Sequence, residues 1–174
     1  MPDNPAMQPV LELSALFGEL TALQESLHGV ITIKLEAMRR SDVDGMLAAS
    51  HREGELAAKA EQLDEIRKQI VSRLCMVLGI APEAGGRPVR LSSILSRLDP
   101  SLRPRLAQLA AALRERMLKV AEANRVVELV SREMLAHFKA LFAAMTQDEE
   151  NVEVYSAAGG ATRTGGPRVL DAVG

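Results

Sequence analysis

Aromatic residues are nearly absent from this 174-residue chain, which has no tryptophan, one tyrosine and three phenylalanines. A compact globule of this size usually fills its centre with aromatic bulk. Leu, Ala, Met and Val supply the apolar half of the composition instead, which suits a thin helical bundle with many two-helix seams. Cysteine is as scarce. The single Cys75 excludes an intramolecular disulfide and a Cys-based zinc site. Set in the apolar run Ile70-Val-Ser-Arg-Leu-Cys-Met-Val-Leu, it reads as a small buried hydrophobe in a reducing cytoplasm. No run approaches the ~18 apolar residues of a membrane span. The opening Met1-Pro-Asp-Asn-Pro has neither the basic nor the apolar region of a signal peptide. A formal net charge of −2 argues against a globally basic nucleic-acid binder. Neither nucleic-acid binding nor membrane insertion is expected.

What the chain does have is helical periodicity. Leu13, Leu16, Leu20, Leu23, Leu27 and Val30 step by three and four, and Leu35 and Met38 continue the stripe, predicting a first helix about 45 Å long at 1.5 Å per residue. Arg40-Ser-Asp-Val-Asp-Gly breaks it. Ser41 or Asp42 can cap a second helix, and Asp44 adds favourable charge to its first turn. Met46, Leu56, Ala60, Leu63, Ile70, Leu74 and Val77 form its apolar side, while Gly45 and Gly54 predict a weak first half. Gly79 is placed to end it, with Pro82 following. After a long loop, Leu91–Leu98 predicts a two-turn helix that lids one end of the bundle. A last helix is expected over about 102–147, with Ser101 as its N-cap and Pro104 tolerated in its first turn.

That last helix carries a seam of about five heptads: Leu109, Leu113, Met117, Val120, Asn124, Val127, Ser131, Met134, Phe138, Leu141 and Met145. Asn124 either fixes register at a core position or marks where the seam turns to solvent. The fold class read from these patterns is all-α: an elongated antiparallel bundle of three long helices and one short one over residues 1–150, with a flexible Gly-rich tail over 151–174. The tail holds five glycines and few large apolar groups, too little to repay an ordering entropy of ~1–2 kcal/mol per residue.

Charge is unevenly spread. Residues 1–86 hold 8 basic and 13 acidic groups, and residues 87–132 hold 10 basic and 4 acidic groups. Two bundle halves can neutralise each other, or Arg97, Arg103, Arg105, Arg114 and Arg116 can form a patch for an acidic partner. No nucleotide-binding loop, nucleophile elbow or His-Glu-x-x-His occurs. The carboxylate–imidazole pairs His51/Glu55 and Glu133/His137 lie four residues apart, and a di-iron bundle needs Glu-x-x-His at three. No catalytic residue, cofactor or metal ligand is expected, and the chain reads as a binding protein, not an enzyme.

Beyond Val130 the apolar side of the last helix widens to Met134, Leu135, Phe138, Leu141, Phe142 and Met145, including two of the three phenylalanines. One reading is core, against the Phe17 end of the first helix. The other is an open groove wall that takes a partner's amphipathic helix, where flexible methionines adapt well. On the second reading the partner-binding residues are Val127, Val130, Met134, Leu135, Phe138, Leu141, Phe142 and Met145, with Tyr155 of the tail.

Nearly the whole sequence resembles the FlgN-type flagellar export chaperones. The features that carry the likeness are the Leu-rich first helix, the Ser-Asp-Val-Asp break, and a second helix ending in Leu78-Gly79. The short Leu91–Leu98 helix follows, then a long helix with Ala123-Asn124-Arg125 and Ser131, and the tail Tyr155-Ser-Ala-Ala-Gly-Gly with Arg168-Val-Leu-Asp. The resemblance implies a small cytoplasmic helical protein, a monomer or weak dimer. It would hold the C-terminal helical segments of hook–filament junction (hook-associated) proteins, keep them from polymerising, and deliver them to components of the flagellar type III export apparatus. The rival reading is a coiled-coil scaffold or oligomerisation module that uses the wide face to self-associate. A ferritin-like enzyme is a distant third.

Overall fold

The computed structural model describes residues 5–81 and 89–150, the side chains of 147–150 excepted. Among them are four helices and no strand: α1 (Met7–Arg39), α2 (Val43–Leu78), α3 (Leu91–Arg97) and α4 (Arg103–Glu150). The fold is all-α, with three long helices and one short one, as the periodicity predicts. The expected tail, Tyr155 within it, and most of the predicted loop lie outside the described residues. The chain divides into two units, residues 1–128 and 129–174.

In the first unit α1 and α2 run antiparallel. Glu12 pairs with Arg73 near one end, and Lys34 Nζ meets Glu53 Oε2 at 3.0 Å toward the other. Between them α1 buries Leu13, Leu16, Phe17, Leu20, Leu23, Leu27 and Ile31, stepping by three and four. α2 answers with Ala49, Leu56, Leu63 and Ile70, a line that repeats every seven residues, followed by Leu74 and Cys75. α4 adds a second seven-residue line of Leu106, Leu113 and Val120 to the same core. α1 buries the widest stripe of the three long helices. α2 and α4 each bury a narrower row. Arg116 of α4 reaches Glu25 of α1 at 2.9 Å across the outer edge of this contact. Ile94 of α3 and Leu98 after it are almost fully buried in the same core.

The turns follow local chemistry. Asp42 is the N-cap of α2, its carboxylate accepting the Gly45 N–H at 2.9 Å. Ser41 beside it takes φ 55°, an uncommon left-handed backbone for a residue with a side chain. A Cβ on Gly45 would lie 2.4 Å from that carboxylate. Glycine here leaves room for the cap, and the helix is unbroken from Val43. Gly79 ends α2 with φ 62°, and its N–H and that of Ile80 return to the carbonyls of Met76 and Cys75.

Ser101 is not the N-cap of α4. The Asp99 carboxylate accepts both its N–H at 2.9 Å and its hydroxyl at 2.7 Å, which makes a turn, and the helix opens at Arg103. The Arg103 guanidinium donates to the carbonyls of Leu98 and Ser96, tying the end of α3 to the start of α4.

The predicted seam on α4 needs correction too. Its buried row begins one turn earlier than expected, at Leu106, and Met117, Asn124 and Ser131 are exposed. Leu109, Ala110, Ala123 and Val127 are half-buried against the core. A two-column seam requires a neighbour on each side of the stripe. α4 fills only one row of this core, so the second column faces solvent in part.

Candidate partner-binding face

The second unit is described from Leu129 to Glu150 of α4. These described residues are all helix, and its composition changes along them. From Met134 to Met145 the sequence MLAHFKALFAAM contains one lysine and one histidine, and every other residue is apolar. A soluble helix with that little charge needs cover. The side chains have little of it. Val130 and Met134 are half-buried, but Leu135, Phe138, Leu141, Phe142 and Met145 are 47–66% exposed. Phe17, proposed as their core neighbour, is buried within the first unit. Phe138 and Phe142 are not core.

At 100° per residue the seven large apolar side chains from Val130 to Met145 span an arc of roughly 140°. Val130, Met134, Leu141 and Met145 run along one edge, and Phe138, Leu135 and Phe142 turn toward the other. Alanines and Lys139 complete the circumference. Such an arc is wider than a coiled-coil seam and equals the core-facing side of a bundle helix. Val127 lies at its start, half-buried and in contact with the core of the first unit. Of the nine candidate residues the structure thus places seven on one face and Val127 at its head. Tyr155 lies outside the described residues. Leu129, also exposed, falls on the opposite side of the helix and does not extend the face.

The described residues of the first unit also expose apolar side chains, among them Leu47, Met76 and Leu118. A shallow groove of about 310 Å³ between α1 and α2 is lined by Glu12, Glu19, Ile66 and Arg73 over Leu16 and Ile70. The basic stretch is partly spent within the chain: besides the Arg116–Glu25 and Arg103 contacts, Lys119 pairs with Glu115 at 2.8 Å and Arg125 with Glu122 at 3.2 Å. His51 and Glu55 stand 3.7 Å apart on an exposed surface, and the Arg52 hydrogen bond holds the Glu55 carboxyl below its ordinary range. Burial pushes the Cys75 thiol up, which disfavours the nucleophilic thiolate. Among the described residues no three His, Cys, Asp or Glu side chains could hold a metal together. No described helix is long and apolar enough to cross a membrane.

The described residues thus form an all-α protein in which one apolar face of α4 stands open. The family model for "FlgN protein" matches residues 7–163, most of the chain, and the protein belongs to the FlgN family. No curated protein and no solved structure matches it. Membership makes it a flagellar export chaperone, from a family of chaperones rather than enzymes, whose partners are flagellar proteins.

Proposed function

We propose that this chaperone holds the C-terminal helical segments of hook–filament junction proteins in the cytoplasm. The contact face comprises Val127, Val130, Met134, Leu135, Phe138, Leu141, Phe142 and Met145, with Tyr155 as a further contact. It then delivers its cargo to the export apparatus without cofactor or metal. The observation that carries this reading is the exposure of five large apolar side chains on successive turns of one helix. A junction protein's terminal helix is amphipathic and adhesive until it assembles. Laying its apolar side on this arc shields both surfaces at once.

Magnitudes favour a releasable complex. Full burial of a Leu, Phe or Met side chain contributes about 1.5–3 kcal/mol, and these side chains are already half covered. The face then supplies roughly 5–8 kcal/mol before the losses of association are subtracted. Micromolar binding requires a net of about 8 kcal/mol. Additional polar contacts or the tail must contribute, and very tight capture is not expected. Release for export fits such a balance.

The test is calorimetric titration of the full chain with a junction-protein C-terminal peptide. Phe142→Asp should weaken binding at least tenfold while far-UV circular dichroism stays that of the wild type. Unchanged affinity in a folded Phe142→Asp protein would rule this face out.

A further inference from the structure

Between Arg90 and Arg114 the chain carries five arginines, no lysine and a single acid, Asp99. Elsewhere in the first unit most cations find a carboxylate: Lys34, Arg40, Arg52, Arg67, Arg73 and Arg116 each reach one. In this stretch none does. Arg90, Arg97, Arg105 and Arg114 are exposed, and none has an ion pair or hydrogen bond among the described residues. Arg103 spends its guanidinium on the carbonyls of Leu98 and Ser96, at 2.7 and 3.3 Å. Asp99 is already engaged by Ser101.

The fold gathers three of these free arginines. α3 packs against α2, and the two Arg103 hydrogen bonds fix the start of α4 beside the end of α3. Arg97 is the last residue of α3 and Arg105 the third of α4, so this tie holds both in one corner. Arg90 precedes α3, about 10 Å from Arg97 at 1.5 Å per residue. Arg114 lies half a turn round α4 from Arg105 and is not part of the corner. α4 opens with Arg103 and Arg105 and has no acid in its first turn. Positive charge there opposes the helix macrodipole, so the chain alone gains nothing from the arrangement. A carboxylate from outside relieves it. The planar arginine fork takes a carboxylate through two parallel hydrogen bonds and keeps its charge at any ordinary pH. No aromatic residue lies between Phe17 and Phe138, so the corner has no ring on which a base could stack, which disfavours nucleic acid.

We propose that the α3–α4 corner, Arg90, Arg97 and Arg105, is a second docking surface, and that its partner is a carboxylate-rich segment of another protein. None of these arginines belongs to the candidate face at residues 127–145, and the proposal does not rest on the cargo reading. Exposed ion pairs are individually weak and are screened over about 8 Å at physiological salt. Docking here is therefore reversible and salt-sensitive.

Fluorescence anisotropy of a labelled Glu-Asp-Glu-Asp-Glu-Asp peptide, titrated with the full chain, tests this. The wild type should bind at low ionic strength and lose most of its affinity at physiological salt. Arg97→Glu with Arg105→Glu should weaken binding about tenfold or more, with far-UV circular dichroism unchanged. Arg97→Lys with Arg105→Lys keeps the charge and should lose only about two- to threefold. Lys119→Glu with Arg125→Glu reverses two cations that already have partners in the chain. It changes the net charge equally and should cost less than about twofold. Capture of a junction-protein C-terminal peptide should be the same in the Arg97→Glu, Arg105→Glu variant as in the wild type. No binding at low salt, an equal loss in the Lys119→Glu, Arg125→Glu variant, or equally tight binding of a labelled RNA strand overturns the proposal. A parallel loss of junction-peptide capture also overturns it, because the two ligands then share one surface.

Discussion

Two stretches of α4 carry the same kind of residue at the same spacing and meet opposite fates. In the first unit Leu106, Leu113 and Val120 are buried, with Leu106 fully so; in the second, Leu135, Leu141 and Phe142 are about half exposed or more. Periodicity is equal in both. What differs is the availability of a neighbour within the chain. α1 and α2 offer their stripes to residues 106–127, and that part of α4 becomes structure. Residues 134–145 keep the composition of a core helix yet stay largely exposed, and in the proposed function their cover comes from another molecule. An apolar stripe states that burial is needed, and only the fold states who supplies it.

The sharpest way to break this comparison is to make matched changes on the two sides. Leu106→Ala removes a fully enclosed side chain and should destabilise by about 2–5 kcal/mol. In a chain of this length that lowers the melting temperature by roughly 5–15 °C, read by calorimetry or thermal circular dichroism. Phe142→Asp, a more drastic change, should stay within about 0.5 kcal/mol of wild type in the same assay while it weakens cargo capture about tenfold or more. If the two substitutions destabilise equally, the second stretch is core and the comparison fails.

Two further changes ask whether stability resides in the first unit down to its turns. Asp42→Ala deletes the side-chain acceptor for the Gly45 N–H and should lower stability by about 1 kcal/mol, measured by urea unfolding. A loss near zero would mean that solvent replaces the cap. The smallest expected effect lies at Asp99. The Ser101 hydroxyl, followed by its backbone N–H, holds this carboxyl below its ordinary range. Because the folded value is lower than the unfolded one, the ionised carboxylate adds stability above the ordinary aspartate range. That contribution disappears as the pH falls through the folded value. Asp99→Ala should therefore melt slightly earlier than wild type at neutral pH and together with it in acid. A melting difference that is constant with pH would show that the charge plays no part.

The sequence alone was enough for the helices, because three- and four-residue steps and the breakers between them act locally. Asp42, Gly79 and the Leu91–Leu98 turns were readable for that reason, as were the fold class and the family. The wide apolar side of residues 130–145 was equally plain as a pattern, since its excess of large side chains is a matter of composition. Its exposure was not. Core wall and groove wall share one sequence signature, and the two are separated only by which helices pack against the stripe. The same ambiguity misplaced the seam, making Met117 and Asn124 seam positions and missing Leu106, because a stripe read on one helix does not say how many neighbours it meets. Ser101 lost the cap to a turn built by Asp99, a competition between two nearby oxygens that spacing cannot rank. The chain by itself determined which segments must be helical and which sides must be hidden. Tertiary structure decided which of those sides the protein hides for itself, because burial depends on contacts between residues far apart in sequence.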